Sequence, residues 1–130
     1  MYVWQEKQYP KKKEKTMNNI TLFIEKLKNN TGFISFPETI AVIDENYHFA
    51  PTAFKNGNQH NGIGENNGSC KIFAFAQLHQ LNQEETLRLF GNYYLDVINT
   101  PKAEDHQNIR NFMQFGWNGI AFDGDALALI

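Results

Sequence analysis

The stretch that most constrains this chain is SCKIFAFAQLHQL, residues 69–81. Ile72, Phe73, Phe75, Ala76 and Leu78 send apolar side chains in nearly every direction around a helix. Such a helix is the buried centre of a domain, so the rest of the chain must wrap it. At 130 residues there is enough chain for one domain and one core. Eleven phenylalanines build that core from large, flat side chains.

The flanking segments read as the wrapping. In NNITLFIEKLKNN, Ile20, Phe23, Ile24 and Leu27 recur at helical spacing. Asn18 or Asn19 is the expected cap, and Asn30 or Gly32 the expected stop. FPETIAVIDENY predicts a second helix, with Pro37 in its first turn and Ile40, Val42 and Ile43 inward. Tyr47, Phe49, Thr52 and Phe54, around Pro51, change to strand spacing. Residues 56–68 read as one long Gly- and Asn-rich loop. The central helix follows, capped by Ser69 or Asn67. NQEETLRLFGNYYLDVIN predicts a fourth helix, with Asn82 and Glu85 forming a capping box. DHQNIRNFMQFGW predicts a fifth, capped by Asp105, with Ile109, Phe112, Met113 and Trp117 on its inner side. NGIAFDGD closes as a turn and a short strand that pairs with those near residues 47–55. The expected fold class is α+β, mainly helical, with about five helices and a small antiparallel sheet of two or three short strands.

Charge divides the chain unevenly. Residues 1–16 carry Lys7, Lys11, Lys12, Lys13 and Lys15 against Glu6 and Glu14, about +3, which leaves about −5 for the rest of a chain whose total is −2. This segment is expected to be a mobile lysine-rich extension, although Tyr2, Val3 and Trp4 could dock, and residues 17–130 to be a single domain. A mildly acidic body argues against nucleic-acid binding, which needs a basic face. No apolar run reaches the length of a membrane span, and residues 1–15 have no apolar h-region of a secretory signal. One cysteine excludes an internal disulfide and any two-cysteine metal or redox motif. The expected location is the cytoplasm, without membrane partner, metal or cofactor.

The chemistry-bearing residues gather where the glycine-rich loop meets two helix starts. Cys70 falls in the first turn of the central helix, where the backbone dipole favours a thiolate, with Lys71 beside it. His106, flanked by Asp105, is the natural base for such a nucleophile, and His60 is the alternative. A small buried hydrophobe is the other reading of a lone cysteine. The same loop can instead cradle an anion on its backbone N–H groups, with Ser69, Lys71 and Arg110 adding side-chain donors and Glu65, Asn66 and Asn108 completing the lining. GENNGSCK is not a Walker A loop, because its Gly-to-Lys spacing is one residue too long and no Ser or Thr follows Lys71. His60, Glu65 and His106 lack metal-ligand spacing. Glu65 is expected to pair with Lys71 or Arg110 or to act as an acid. His48 and His79 look incidental. Two functions remain open from the residues. One is a binding or interaction module for a small anionic ligand or a protein partner. The other is a cysteine-dependent hydrolase or transferase using Cys70 with His106 or His60.

Four motifs in order, AVIDENYHFAPTAFKNG, GENNGSCKIFAFAQL, TLRLFGNYYLDV and DHQNIRNFMQFGWNGIAF, resemble the HopJ type III effector family. The resemblance runs from about Met17 to the DGDAL segment, and residues 1–16 lie outside it. It implies a bacterial protein, with delivery into a host cell if the chain is a true effector. It brings no catalytic residue with it.

Overall fold

The computed structural model describes the backbone from Lys11 to Ile130 and the side chains from Asn19 onward. The docking considered for Tyr2, Val3 and Trp4 lies outside the described residues. Among the described residues, six α-helices and five short strands follow in the order α1 (Lys11–Asn29), α2 (Phe36–Asn46), β1 (Tyr47–Phe49), β2 (Phe54–Asn56), β3 (Gln59–Asn61), α3 (Asn67–Leu78), α4 (Gln83–Arg88), α5 (Asn92–Asn99), α6 (Gln107–Phe115), β4 (Ile120–Phe122) and β5 (Leu127–Leu129). The class is α+β and mainly helical, as the periodicities predict.

The central helix is α3. Cys70, Ile72, Phe73, Ala74, Phe75 and Ala76 are all buried. Its two phenylalanines organise two aromatic clusters. Phe73 meets Phe54, Phe90, Phe112 and Trp117 at centroid distances of 6.0, 5.5, 5.0 and 6.4 Å. Phe75 meets Phe23 at 6.0 Å and Tyr47 at 5.9 Å. Such pairs contribute about 0.5–1.5 kcal/mol each beyond their buried area.

Several boundaries differ from the sequence expectation. Helix α1 starts at Lys11, so Asn18 and Asn19 lie inside it rather than capping it. Asn30 ends it at φ +53, as expected. The loop 56–68 is not all loop. Gly57 and Asn58 form a two-residue turn, with Gly57 at φ +62, and β3 folds back on β2. The predicted fourth helix is two helices. Gly91 sits at φ +59 between them, and a Cβ there would lie 2.5 Å from the Phe36 backbone nitrogen. That close approach turns the chain sharply between α4 and α5.

The small sheet is also two sheets. One has the order β3-β2-β4, with Phe54 opposite Phe122, the pairing expected for the NGIAF strand. The other pairs β1 with β5, a strand the sequence reading missed. Met113 is exposed rather than inward. Trp117 donates its Nε1–H to the Leu81 carbonyl at 2.9 Å.

Candidate functional site

Helices α3 and α6 both begin at one cavity of about 430 Å³. Gly68 and Ser69 line it from the α3 start, and His106, Gln107 and Asn108 from the α6 start. Phe36, Phe90 and Tyr93 supply an aromatic wall, and Gln59 and Asn66 add amides.

The two starts share an unusual construction. Both cap residues, Asn66 and His106, have left-handed backbones, at φ +54 and φ +53. Neither side chain accepts a hydrogen bond from a first-turn N–H. The expected caps Ser69 and Asp105 do not serve, because the helices begin at Asn67 and Gln107. A helix start leaves its first N–H groups without intrahelical partners. At α3 these are Asn67, Gly68 and Ser69; at α6 the Ile109 N–H turns back to the His106 carbonyl and leaves Gln107 and Asn108. None of these five finds a hydrogen-bond partner among the described residues.

A buried network of amides holds the two starts together. Asn61 Oδ1 accepts from Asn66 at 2.7 Å, Asn108 at 3.0 Å and Gln59 at 3.3 Å. Asn61 returns its own N–H to Asn108 Oδ1 at 3.2 Å, so these two side chains pair reciprocally. Asn56 donates to Asn108 Oδ1 at 2.9 Å and to its carbonyl at 2.8 Å. Asn111 binds the Asn56 carbonyl at 3.0 Å. Asn56, Asn61, Asn108 and Asn111 are all buried. One strand residue, Asn61, thus bridges the α3 cap and the first turn of α6. The Gly- and Asn-rich composition of the loop pointed to this region, but only the hairpin between β2 and β3 brings the asparagines face to face.

The expected reactive groups are distributed differently. Cys70 is wholly buried, and its thiol rests on the Thr52 carbonyl at 3.4 Å. Burial pushes the thiol up, against a smaller downward effect of the Thr52 bond, so the helix dipole does not activate it. Cys70 does not line the cavity, and no histidine hydrogen-bonds it among the described residues. Lys71 turns away to Asp44 at 2.8 Å and lies over the Phe49 ring at 5.0 Å. Arg110 is occupied by Thr100 and by Asp105, whose carboxylate it meets at 2.8 Å. Its hydrogen bond, the largest cause, holds the Asp105 carboxyl below the usual range. Glu65 neither pairs with those cations nor faces an acid–base partner. It closes its own turn, accepting the Gly62 N–H at 2.6 Å.

Of the expected set, the structure brings Asn66, Ser69, His106 and Asn108 together at the cavity and leaves Glu65, Cys70, Lys71 and Arg110 outside its lining. His60 is exposed on β3. His106 has Asp105 and Asp96 carboxylates at 3.7 and 3.8 Å, and its ring lies tilted at 43° to Tyr93 with centroids 5.3 Å apart. Tyr93 and Phe36, which meet edge to face at 4.9 Å, were missed as site residues. The phrase GNYYLDV holds an aromatic pair, but read as part of one continuous helix it gives no sign that Tyr93 faces a cavity. His79 is not incidental either: it takes the Tyr47 hydroxyl at 2.7 Å, and burial lowers its pKa.

Among the described residues no three His, Cys, Asp or Glu side chains gather as a metal site, and no helix is long and apolar enough to cross a membrane.

Residues 20–127 match the family described as HopJ type III effector protein. Among solved structures, the crystal structure of an unknown function protein, VPA0580, is 50% identical, with a TM-score of 0.83 over 85% of this chain and 92% of that one. No curated protein sequence matches. The family resemblance read from the four motifs is thereby shown, and the chain belongs to the HopJ type III effector family.

Proposed function

We propose that this protein is a binding module that holds a small ligand in the cavity between the α3 and α6 starts. The observation that carries this reading is that four residues with unpartnered backbone N–H groups, Gly68, Ser69, Gln107 and Asn108, line one concave site with an aromatic wall from two helices. Concave sites with apolar walls and a few convergent polar groups are where small molecules bind. The donors suit a carboxylate or another oxygen acceptor on the ligand. Lys71 and Arg110 take no part. Cys70 takes no part either, because a buried, protonated thiol without a base is not a nucleophile.

The test is a ¹H–¹⁵N NMR titration of the full chain with small aromatic and aliphatic carboxylates and amides. Saturable shifts at Gly68, Ser69, Gln107 and Asn108, reduced when Ser69→Leu crowds the lining, support the reading. Shifts that never saturate, or that map elsewhere, contradict it.

A second reading, interaction with a protein, follows from the family's description and a separate groove. Phe33, Leu95 and Ile98 are exposed around a depression of about 240 Å³ between the end of α1 and α5. Exposed apolar clusters of this kind mark contact surfaces. A double change, Phe33→Ser with Leu95→Ser, would remove partner binding while leaving the cavity titration intact.

A further inference from the structure

The aromatic wall says more about the ligand than its size. Phe36, Tyr93 and His106 form one file of rings along the cavity, with centroid spacings of 4.9 and 5.3 Å. Tyr93 remains 43% exposed although it belongs to this file. Gly68 fixes the file from the α3 side. A Cβ at that position would lie 2.8 Å from Phe36 Cζ, so the ring sits directly on the helix backbone. The lining also carries four amide side chains, Gln59, Asn66, Gln107 and Asn108. Among the described residues no Lys, Arg, Asp or Glu lines the cavity.

Exposed ring surface, planar amides and the absence of charged side chains together describe a slot for a flat group. A ring that stacks or meets rings edge to face gains about 0.5–1.5 kcal/mol over a saturated group burying the same area. A highly charged ligand would find no Lys, Arg, Asp or Glu counter-ion among the described lining residues. We infer that the cavity selects an aromatic or heteroaromatic ring of low net charge, bearing one carboxamide- or carboxylate-sized polar edge that the lining amides and free N–H groups can meet. This inference rests on the binding reading above and names its ligand class.

Four compounds test it: benzamide, cyclohexanecarboxamide, benzoate and cyclohexanecarboxylate. Each is titrated into the full ¹⁵N-labelled chain, and affinity is read from the Gly68, Ser69, Gln107 and Asn108 amide signals. In each pair the phenyl compound should bind about 3- to 10-fold tighter than its saturated partner. The ratio should vanish in Tyr93→Leu and persist in Tyr93→Phe. Saturable binding with equal affinities within the pairs, or a ratio that survives Tyr93→Leu, overturns the aromatic selection and leaves the binding reading standing. Absence of saturable shifts with all four compounds overturns both.

Discussion

Two pairs of helix starts in this molecule are built in opposite ways. Helices α2 and α4 are closed by their own side chains. Ser35 accepts the Glu38 N–H at 3.2 Å, and Asn82 exchanges two hydrogen bonds with Glu85 at 2.8 and 2.9 Å. Helices α3 and α6 have left-handed cap residues and no side-chain cap. Four of their free N–H groups belong to residues that line one cavity, and the cap residue Asn66 spends its side chain on Asn61 instead. The contrast teaches where the fold is self-sufficient and where it leaves donors for something else. A capped start is complete without a ligand. An uncapped start at a concave site is complete only with water or a ligand.

The largest effect should come from the strut between the uncapped starts. Asn61→Leu strands the buried Asn108 side-chain N–H, releases the exposed Asn66 side chain to solvent and removes the bond to the Phe54 carbonyl. Unpaired buried groups cost about 1–3 kcal/mol each, so the loss should reach about 3 kcal/mol, read from the denaturant midpoint. Next in size is Asn82→Ala, which removes a working cap. It should cost about 1 kcal/mol. If it costs nothing, the distinction between the two kinds of start has no energetic content.

His106→Gly should be smaller still. Glycine accepts φ +53 without strain, which offsets the lost contact with Tyr93, and stability should stay within about 0.5 kcal/mol. A loss as large as that of Asn82→Ala would show that His106 caps α6 after all.

The smallest effect is a pH dependence at the capped start. Burial alone would raise the Glu85 carboxyl, but the Asn82 N–H, Lys28 and Arg88 outweigh it and hold it below the ordinary 4.5. A carboxylate with a lowered folded pKa stabilises the fold above its unfolded pKa. That contribution is lost as pH falls from about 4.5 through the lower folded value. Melting curves below neutral pH should show this acid loss, and Glu85→Gln should flatten it.

Much of the architecture was legible because it rests on periodicity. Phe73 and Phe75 announced the central helix, and Ile20, Phe23 and Leu27 the apolar stripe of α1, all now buried. The α4 capping box was legible because its two residues are three apart in sequence. The α4–α5 break was not. Gly91 looks like a tolerated helix glycine until residues 34–36 press against it, and that contact is long-range. Strand β5 was missed because ALAL alternates alanine with leucine and becomes a strand only by pairing with β1.

The site was legible as a place but not as chemistry. Ser69, Asn66, His106 and Asn108 do meet at the cavity. Cys70 and Lys71, next in sequence to Ser69, point elsewhere, since successive helical residues sit about 100° apart. One step along α3 leads from the lining residue Ser69 to the buried core thiol Cys70. Alkylation should accordingly be blocked in the native chain and proceed only after unfolding. A native thiol that reacts readily below about pH 8.5 would reinstate Cys70 as a nucleophile.

The central claim is that the α3 and α6 starts keep donors free for a ligand while the α2 and α4 starts do not. Residue-resolved amide hydrogen exchange on the full chain, with and without saturating benzamide, tests it most directly. In the free protein Gly68, Ser69, Gln107 and Asn108 should exchange fast and Glu38 and Glu85 slowly, and benzamide should slow only the first group. Equal protection of both groups in the free protein, or no change at the α3 and α6 starts with benzamide at saturation, would contradict the account.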